Sequence, residues 1–193
     1  MEMNQVNQWK NELAVNGKSG VPFIFSGGII WLGITIIFIF PLDLYMKNIF
    51  MLGITGLMFP LSILISRVFK AEWKNKNNPL ASLGFLFNIA QLMYFPIVFW
   101  AIANSPSYVI TCFAVITGAH FFPYGWLYNS KSYYLMAPII SLSTTLIGVL
   151  VEVEQLWWVP LAMVVFLFSL VLMLYLEHKQ RLKNHHNPRV FTT

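Results

Sequence analysis

Charge is what this sequence has least of. Only 10% of its 193 residues are Asp, Glu, Lys or Arg, while 58% are hydrophobic; a soluble domain carries roughly 25% charged residues. Too little polar surface exists to cover a water-exposed fold, so the composition excludes the ordinary soluble class. Cysteine is nearly absent too. Cys112 stands alone in an apolar run, which excludes an intrachain disulfide. No glycine-rich phosphate loop occurs, leaving nucleotide hydrolysis without support and giving no sign of any cofactor. Ahead of the first apolar run, near Val21, the chain is polar, without a strongly basic start or a small-residue cleavage site. No cleavable leader is therefore expected, and the first span should begin translocation itself.

Long apolar runs are what the sequence does have. About 20 apolar residues cross a hydrocarbon core as a helix, and six stretches reach that length: 21–40, 49–69, 80–102, 108–128, 133–151 and 156–176. Turn-forming residues separate them, such as Pro41-Leu42-Asp43, Asn104-Ser105-Pro106-Ser107 and Asn129-Ser130-Lys131-Ser132. The expected fold is an all-α membrane protein, six transmembrane helices in a compact bundle. So little chain separates the fourth and fifth stretches that five spans with one re-entrant helix stays open. Three regions are expected: an amphipathic N-terminal segment (1–20), the transmembrane domain (21–176) and a basic tail (177–193).

The 12 Lys and Arg residues are unevenly placed. Lys10 and Lys18 precede span one; Arg67, Lys70, Lys74 and Lys76 lie between spans two and three. Lys131 separates spans four and five, and Lys179, Arg181, Lys183 and Arg189 follow span six. Only Lys47 falls on the opposite side. The positive-inside rule makes the crowded side cytoplasmic, which places both termini there. The net charge of +5 thus reads as topology, not as a nucleic-acid surface. Aromatic girdles agree: Trp100, Trp157 and Trp158 mark the outer boundary, Trp9, Trp73 and Trp126 the inner. Trp31 is the exception, deep in span one.

In the N-terminal segment, Val6, Trp9 and Leu13 share one helical face, and Gly17 and Gly20 would end the helix. Such a helix suits the membrane surface or a gate. An internal echo also shows. Span two reads Ile54-Thr55-Gly56-Leu57-Met58-Phe59-Pro60, span four Ile116-Thr117-Gly118-Ala119-His120-Phe121-Phe122-Pro123, and span six has Val159-Pro160-Leu161. Three hairpin repeats about an axis along the membrane normal would produce it; so would the general abundance of these residues in membrane spans.

No Asp, Glu, Lys or Arg sits deep in any span, with Arg67 close enough to its end to snorkel. Proton pumps and intramembrane metalloproteases usually need such groups. His120 is the one histidine within the membrane. Pairing spans three and four as a hairpin about Ser105 sets Gln91 level with it, and Asn88 one turn nearer the cytoplasm. Gly84, Asn88, Gln91 and Phe95 share a face by their helical spacing, as do His120 and Tyr124. Asn88, Gln91, His120 and Tyr124 therefore form a candidate substrate site, which Pro96 and Pro123 could serve by freeing backbone carbonyls. The bland use is interhelical hydrogen bonding, worth about 0.6 kcal/mol per contact. Gly27, Gly28 and Gly33 in span one, Ser62 and Ser66 in span two, and Ser141, Thr144 and Gly148 in span five suit close helix packing. The tail histidines His178, His185 and His186 make a poor metal site, and the tail's bases suit anionic lipid headgroups.

Two stretches carry a resemblance. One is Val21-Pro22-Phe23 running into Gly27, Gly28 and Gly33; the other is Gly118 through Tyr128, reading GAHFFPYGWLY. Along most of its length the chain resembles small uncharacterised multi-pass membrane proteins of Gram-positive bacteria. The resemblance implies a bacterial cytoplasmic membrane and supplies no activity. The leading expectation is small-molecule or ion transport, with the bilayer as partner and a homo-oligomer open. An enzyme acting on a lipid-like substrate, with His120 as base, and a non-catalytic partner or sensor are the alternatives.

Overall fold

The computed structural model describes residues 3–72 and 77–186. Trp73, Lys74, Lys76 and Arg189 lie outside the described residues, as do the side chains of His185 and His186. Among the described residues, helices and turns are the only regular structure. α1 (Met3–Asn16) passes through a 3-10 turn, Lys18–Gly20, into α2 (Val21–Ile39). Then come α3 (Leu44–Thr55), α4 (Met58–Val68), α5 (Ala81–Leu92), α6 (Phe95–Asn104), α7 (Val109–His120), α8 (Phe122–Leu127), α9 (Lys131–Leu150) and α10 (Trp158–His186).

Five stretches are long and apolar enough to cross a membrane: Lys18–Ile39, Ala81–Asn104, Pro106–Leu127, Lys131–Leu150 and Val153–Lys183. The sixth is the pair α3–α4, bent by 43° at its break. The fourth and fifth stretches each run as one span without a bend of that size, so the unusual span is the second. It nonetheless runs the length of the bundle. At one end Asn48 Nδ2 donates to the Pro106 carbonyl (3.0 Å), and at the other the Glu72 amide donates to Asn16 O (2.9 Å). The end bearing Asn16 and the close of α10 is called the terminal end below, and the opposite one the far end.

Proline explains the breaks. A proline ring clashes with the carbonyl four residues earlier and lacks an amide hydrogen, so it is tolerated in a helix's first turn. Pro60, Pro96 and Pro123 each stand in the first turn of a resumed helix, α4, α6 and α8. The echo between spans two and four thus corresponds to a shared break. Span six does not share it, because Pro160 already lies in the first turn of α10.

The most extensive packing joins α2 to α10 and α7 to α9, and α9 also packs on α10. Small residues permit these approaches. A Cβ on Gly28 would stand 3.0 Å from the Phe168 ring, and one on Gly118 2.7 Å from Ile140. The core between them is apolar, with Ile34, Ile110, Ile140, Met163, Leu167 and Leu170 fully buried. Trp31 stacks on Phe113 at 5.5 Å between ring centroids. Outward faces are apolar as well, as with Leu142, Leu146 and Val149 on α9.

Polar residues concentrate at the helix ends, where orphaned backbone groups need partners. Asp43 caps α3 by accepting from the Met46 amide, and Lys47 Nζ donates to Phe38 O in the last turn of α2. At the terminal end α8 closes with Asn129 in the left-handed region (φ 48°), where asparagine is tolerated. The Ser130 amide then reaches back to Gly125 O and the Asn129 amide to Trp126 O. Arg181 of α10 donates to the carbonyls of Tyr128 and Asn129. Glu177, one turn earlier, accepts from Ser130 Oγ and from the amide and hydroxyl of Ser132 at the start of α9. A carboxylate thus meets a helix N-terminus and a guanidinium a helix C-terminus, each on its favourable side of the helix dipole.

Candidate functional site

A cavity of about 1480 Å³ lies beside α2. Its walls come from α2, the bent pair α3–α4, α5 with the start of α6, and α7–α8. Asn88, Gln91, His120 and Tyr124 all line it. α5 packs on α7 and α8, and α6 on α7, as an antiparallel hairpin requires. With a rise of 1.5 Å per residue, Gln91 stands about 15 Å from the start of its span and His120 about 10 Å from the end of its own.

The four side chains divide into two pairs. Tyr124 Oη donates to the Gly84 carbonyl at 2.9 Å, and Asn88 Nδ2 donates to the same oxygen at 3.0 Å. Tyr124 thereby ties α8 to α5, whereas Asn88 bonds back along its own helix. His120 sets its ring edge-to-face against Tyr124, with centroids 5.2 Å apart, and also meets Phe121. Neither the His120 imidazole nor the Gln91 carboxamide has a hydrogen-bond partner among the described residues, and both are half-buried. Hydrogen-bonding groups at hydrocarbon depth need partners within the protein or in something bound to it. Ser66 is similar: its hydroxyl is buried without a partner, and the residue lines the cavity.

α1 lies across the terminal end of the cavity, with Leu13, Gly17 and Gly20 in the lining. The packed face of α1 is Lys10, Leu13 and Ala14, while Val6 and Trp9 are only half-buried. The apolar stripe expected from the sequence is thus rotated, because Lys10 places its ammonium 3.5 Å from the centroid of the Trp126 ring. Burial pulls that ammonium below its ordinary value. Polar ties complete the seating. Asn78 Nδ2 donates to Trp9 O and to Glu12 Oε2, and Arg181 donates to Asn11 Oδ1. The link to α2 is strained: Lys18, Ser19 and Gly20 are all in the left-handed region, at φ 49°, 51° and 76°. Such backbone persists in non-glycine residues only when its surroundings enforce it. Here Tyr133 Oη donates to Ser19 O, and Tyr128 and Tyr133 crowd Gly20.

Asn78 and Arg181, which hold α1 in place, and Glu177, which caps α9, have roles that sequence reasoning passed over. For Glu177 and Arg181 a signal existed in their one-turn spacing at the close of the last span. Asn78 sits in a polar turn and carries no comparable mark.

Helices of membrane-crossing length and composition, gathered round one deep cavity, define the class as an all-α bundle of the multi-span type. Within it, the chain belongs to the DUF7010 family of unknown function, whose family model matches residues 6–177. No curated protein and no solved structure matches it.

Proposed function

We propose that the chain is a multi-pass protein of the cell membrane, both termini cytoplasmic, that carries a small molecule through the cavity beside α2. The observation carrying this is the pair of unpartnered polar side chains, His120 and Gln91, facing a large cavity at hydrocarbon depth. Had all four cluster residues been mutually bonded, packing would account for them. Instead Tyr124 supplies the bond between helices, Asn88 bonds within α5, and His120 and Gln91 are left to bind a ligand. α1 closes the cavity at the cytoplasmic side and opens about the strained Lys18–Gly20 link. Neutral hydrogen-bonding side chains at the midplane suit a solute recognised by hydrogen bonds. An enzymatic role for His120 has less support, because no carboxylate among the described residues is bonded to its ring.

The test is ligand-dependent thermal stability. A molecule binding only the folded form raises the unfolding midpoint with its concentration. Purified wild type and His120→Gln are compared against a panel of metabolites, ions and lipids. The variant should fold, with a loss within about 1 kcal/mol, and should lose the ligand-dependent rise. A ligand that stabilises both proteins equally would remove His120 from the site.

A further inference from the structure

We infer that the cavity takes a neutral, long-chained amphiphile from the bilayer itself, through a lateral mouth between α4 and α5. This rests on the reading of the cavity as a ligand site and adds the ligand's class and its route. The rim shows the route. Phe59 on α4 and Phe85, Ile89 and Leu92 on α5 line the cavity, yet each keeps 38–58% of its surface exposed. Residues that both line a cavity and remain exposed stand at its opening. Large apolar groups well inside spans of membrane-crossing length face acyl chains rather than water.

The wall beside that opening is the loosest in the molecule. Only 11% of the most apolar stretch of Ala81–Asn104 is buried, against 33–56% for the other four spans outside the bent pair. No residue of α5 is fully buried. By contrast, α1 covers the terminal end and is held there by Asn78, Arg181 and the Lys10–Trp126 contact. The path of least resistance therefore runs sideways into lipid.

The lining shows the class. Trp31, Phe95, Phe113 and Leu52 make an apolar chamber, and Gln91 and His120 offer unpartnered hydrogen-bonding groups beside it. Among the described residues, Arg67 and Glu72 are the only Asp, Glu, Lys or Arg side chains in the lining, and both belong to the terminal end. A charged headgroup at the depth of Gln91 would lie in hydrocarbon surroundings without a countercharge, at a cost of several kcal/mol. A hydroxyl, ester or amide headgroup bonds to both side chains at no such cost. The volume, about 1480 Å³, exceeds the roughly 300–1,000 Å³ of sites for drug-sized ligands and leaves room for a long chain.

Photolabelling of the full chain in phospholipid nanodiscs tests this. The probes are a long-chain primary alcohol bearing a diazirine and the matching carboxylate; the competitors are unlabelled alcohol and glycerol. The alcohol should label cavity-facing residues of α5 and α7, and excess unlabelled alcohol should suppress that label. Label on outward positions such as Leu142 and Leu146 should resist competition. Gln91→Leu and His120→Leu, each confirmed as folded by circular dichroism and gel filtration, should lower cavity labelling roughly fivefold, the worth of one hydrogen bond. A carboxylate that labels the cavity as strongly as the alcohol, or cavity label without competition, overturns the proposal. Cavity label that glycerol suppresses as well as unlabelled long-chain alcohol does also overturns it while leaving the ligand-site reading intact. Indistinguishable labelling of cavity and outer face under every condition sinks both.

Discussion

Gly148 shows how much a single atom decides in this bundle. It sits on α9 where α7 crosses, and a Cβ there would collide with the Thr111 side chain. The Thr111 hydroxyl is itself buried without a partner, so its environment is already tight and offers nothing in exchange for moving. Gly148→Ala should therefore lower the thermal unfolding midpoint, at a cost of about 1–3 kcal/mol as expected for overpacking. Gly53 provides the contrast, since nothing stands within 4 Å of a Cβ placed there. Gly53→Ala on α3 should be neutral or stabilising by up to about 1 kcal/mol, because alanine has less unfolded-state freedom to lose than glycine. Equal midpoints for the two variants would show that the α7–α9 crossing yields more easily than its geometry suggests. The sequence made this use legible, because Ser141, Thr144 and Gly148 recur on one helical face. It could not show that Thr111 is the partner, since spacing along one helix carries no information about the helix opposite.

Among the elements, α1 joins the weakest sequence signal to the most consequential placement. Its helix was readable, and so was its end at Gly17, but the expected Val6, Trp9 and Leu13 stripe is not its packed face. Its seat was not readable, because that seat depends on a lysine turned inward onto Trp126 and on a turn asparagine, Asn78, reaching the Trp9 carbonyl. Charged residues in a sequence read as solvated until a tertiary partner is known. Helix breaks fared better: prolines at 60, 96 and 123 mark three resumed helices, and the physical reason, a lost amide hydrogen and a steric clash, is local. The prediction at this scale concerns the docking of α1. Asn78→Ala removes two hydrogen bonds to it while leaving the Lys18–Gly20 link and the bundle core in place. Amide hydrogen exchange should accelerate along α1, with α2 and α10 unchanged, as for a locally opening unit. Unchanged protection of α1 would mean that the helix is held by its apolar contacts and does not open as a lid.

For the whole molecule, the spans and the crowding of basic residues at one end were legible because both depend on composition over long windows. Lys10, Lys18, Arg67, Lys70, Lys131, Lys179, Arg181 and Lys183 belong to elements that meet at the terminal end, while Lys47 stays at the far end, bonded to a helix carbonyl. The cavity was not legible, since it arises from the bend of α3–α4 and the loose seating of α5, neither of which leaves a periodic mark. The four cluster residues were found by depth counting, which works only where a hairpin turn fixes the register. Their division into a bonded pair and an unpartnered pair needed the third dimension. The proposed frame, a six-span bundle with both termini cytoplasmic, is what the proposed lid and lateral mouth depend on. A re-entrant α3–α4 would put the two termini on opposite sides. Cysteine accessibility in intact cells decides this most directly, on a background with Cys112 replaced by serine. Asn104→Cys and Gln155→Cys should react with an impermeant maleimide from outside, and Lys70→Cys and Lys131→Cys only after permeabilisation. Labelling of Lys70→Cys from outside in intact cells would contradict the orientation and the crossing of the second span together.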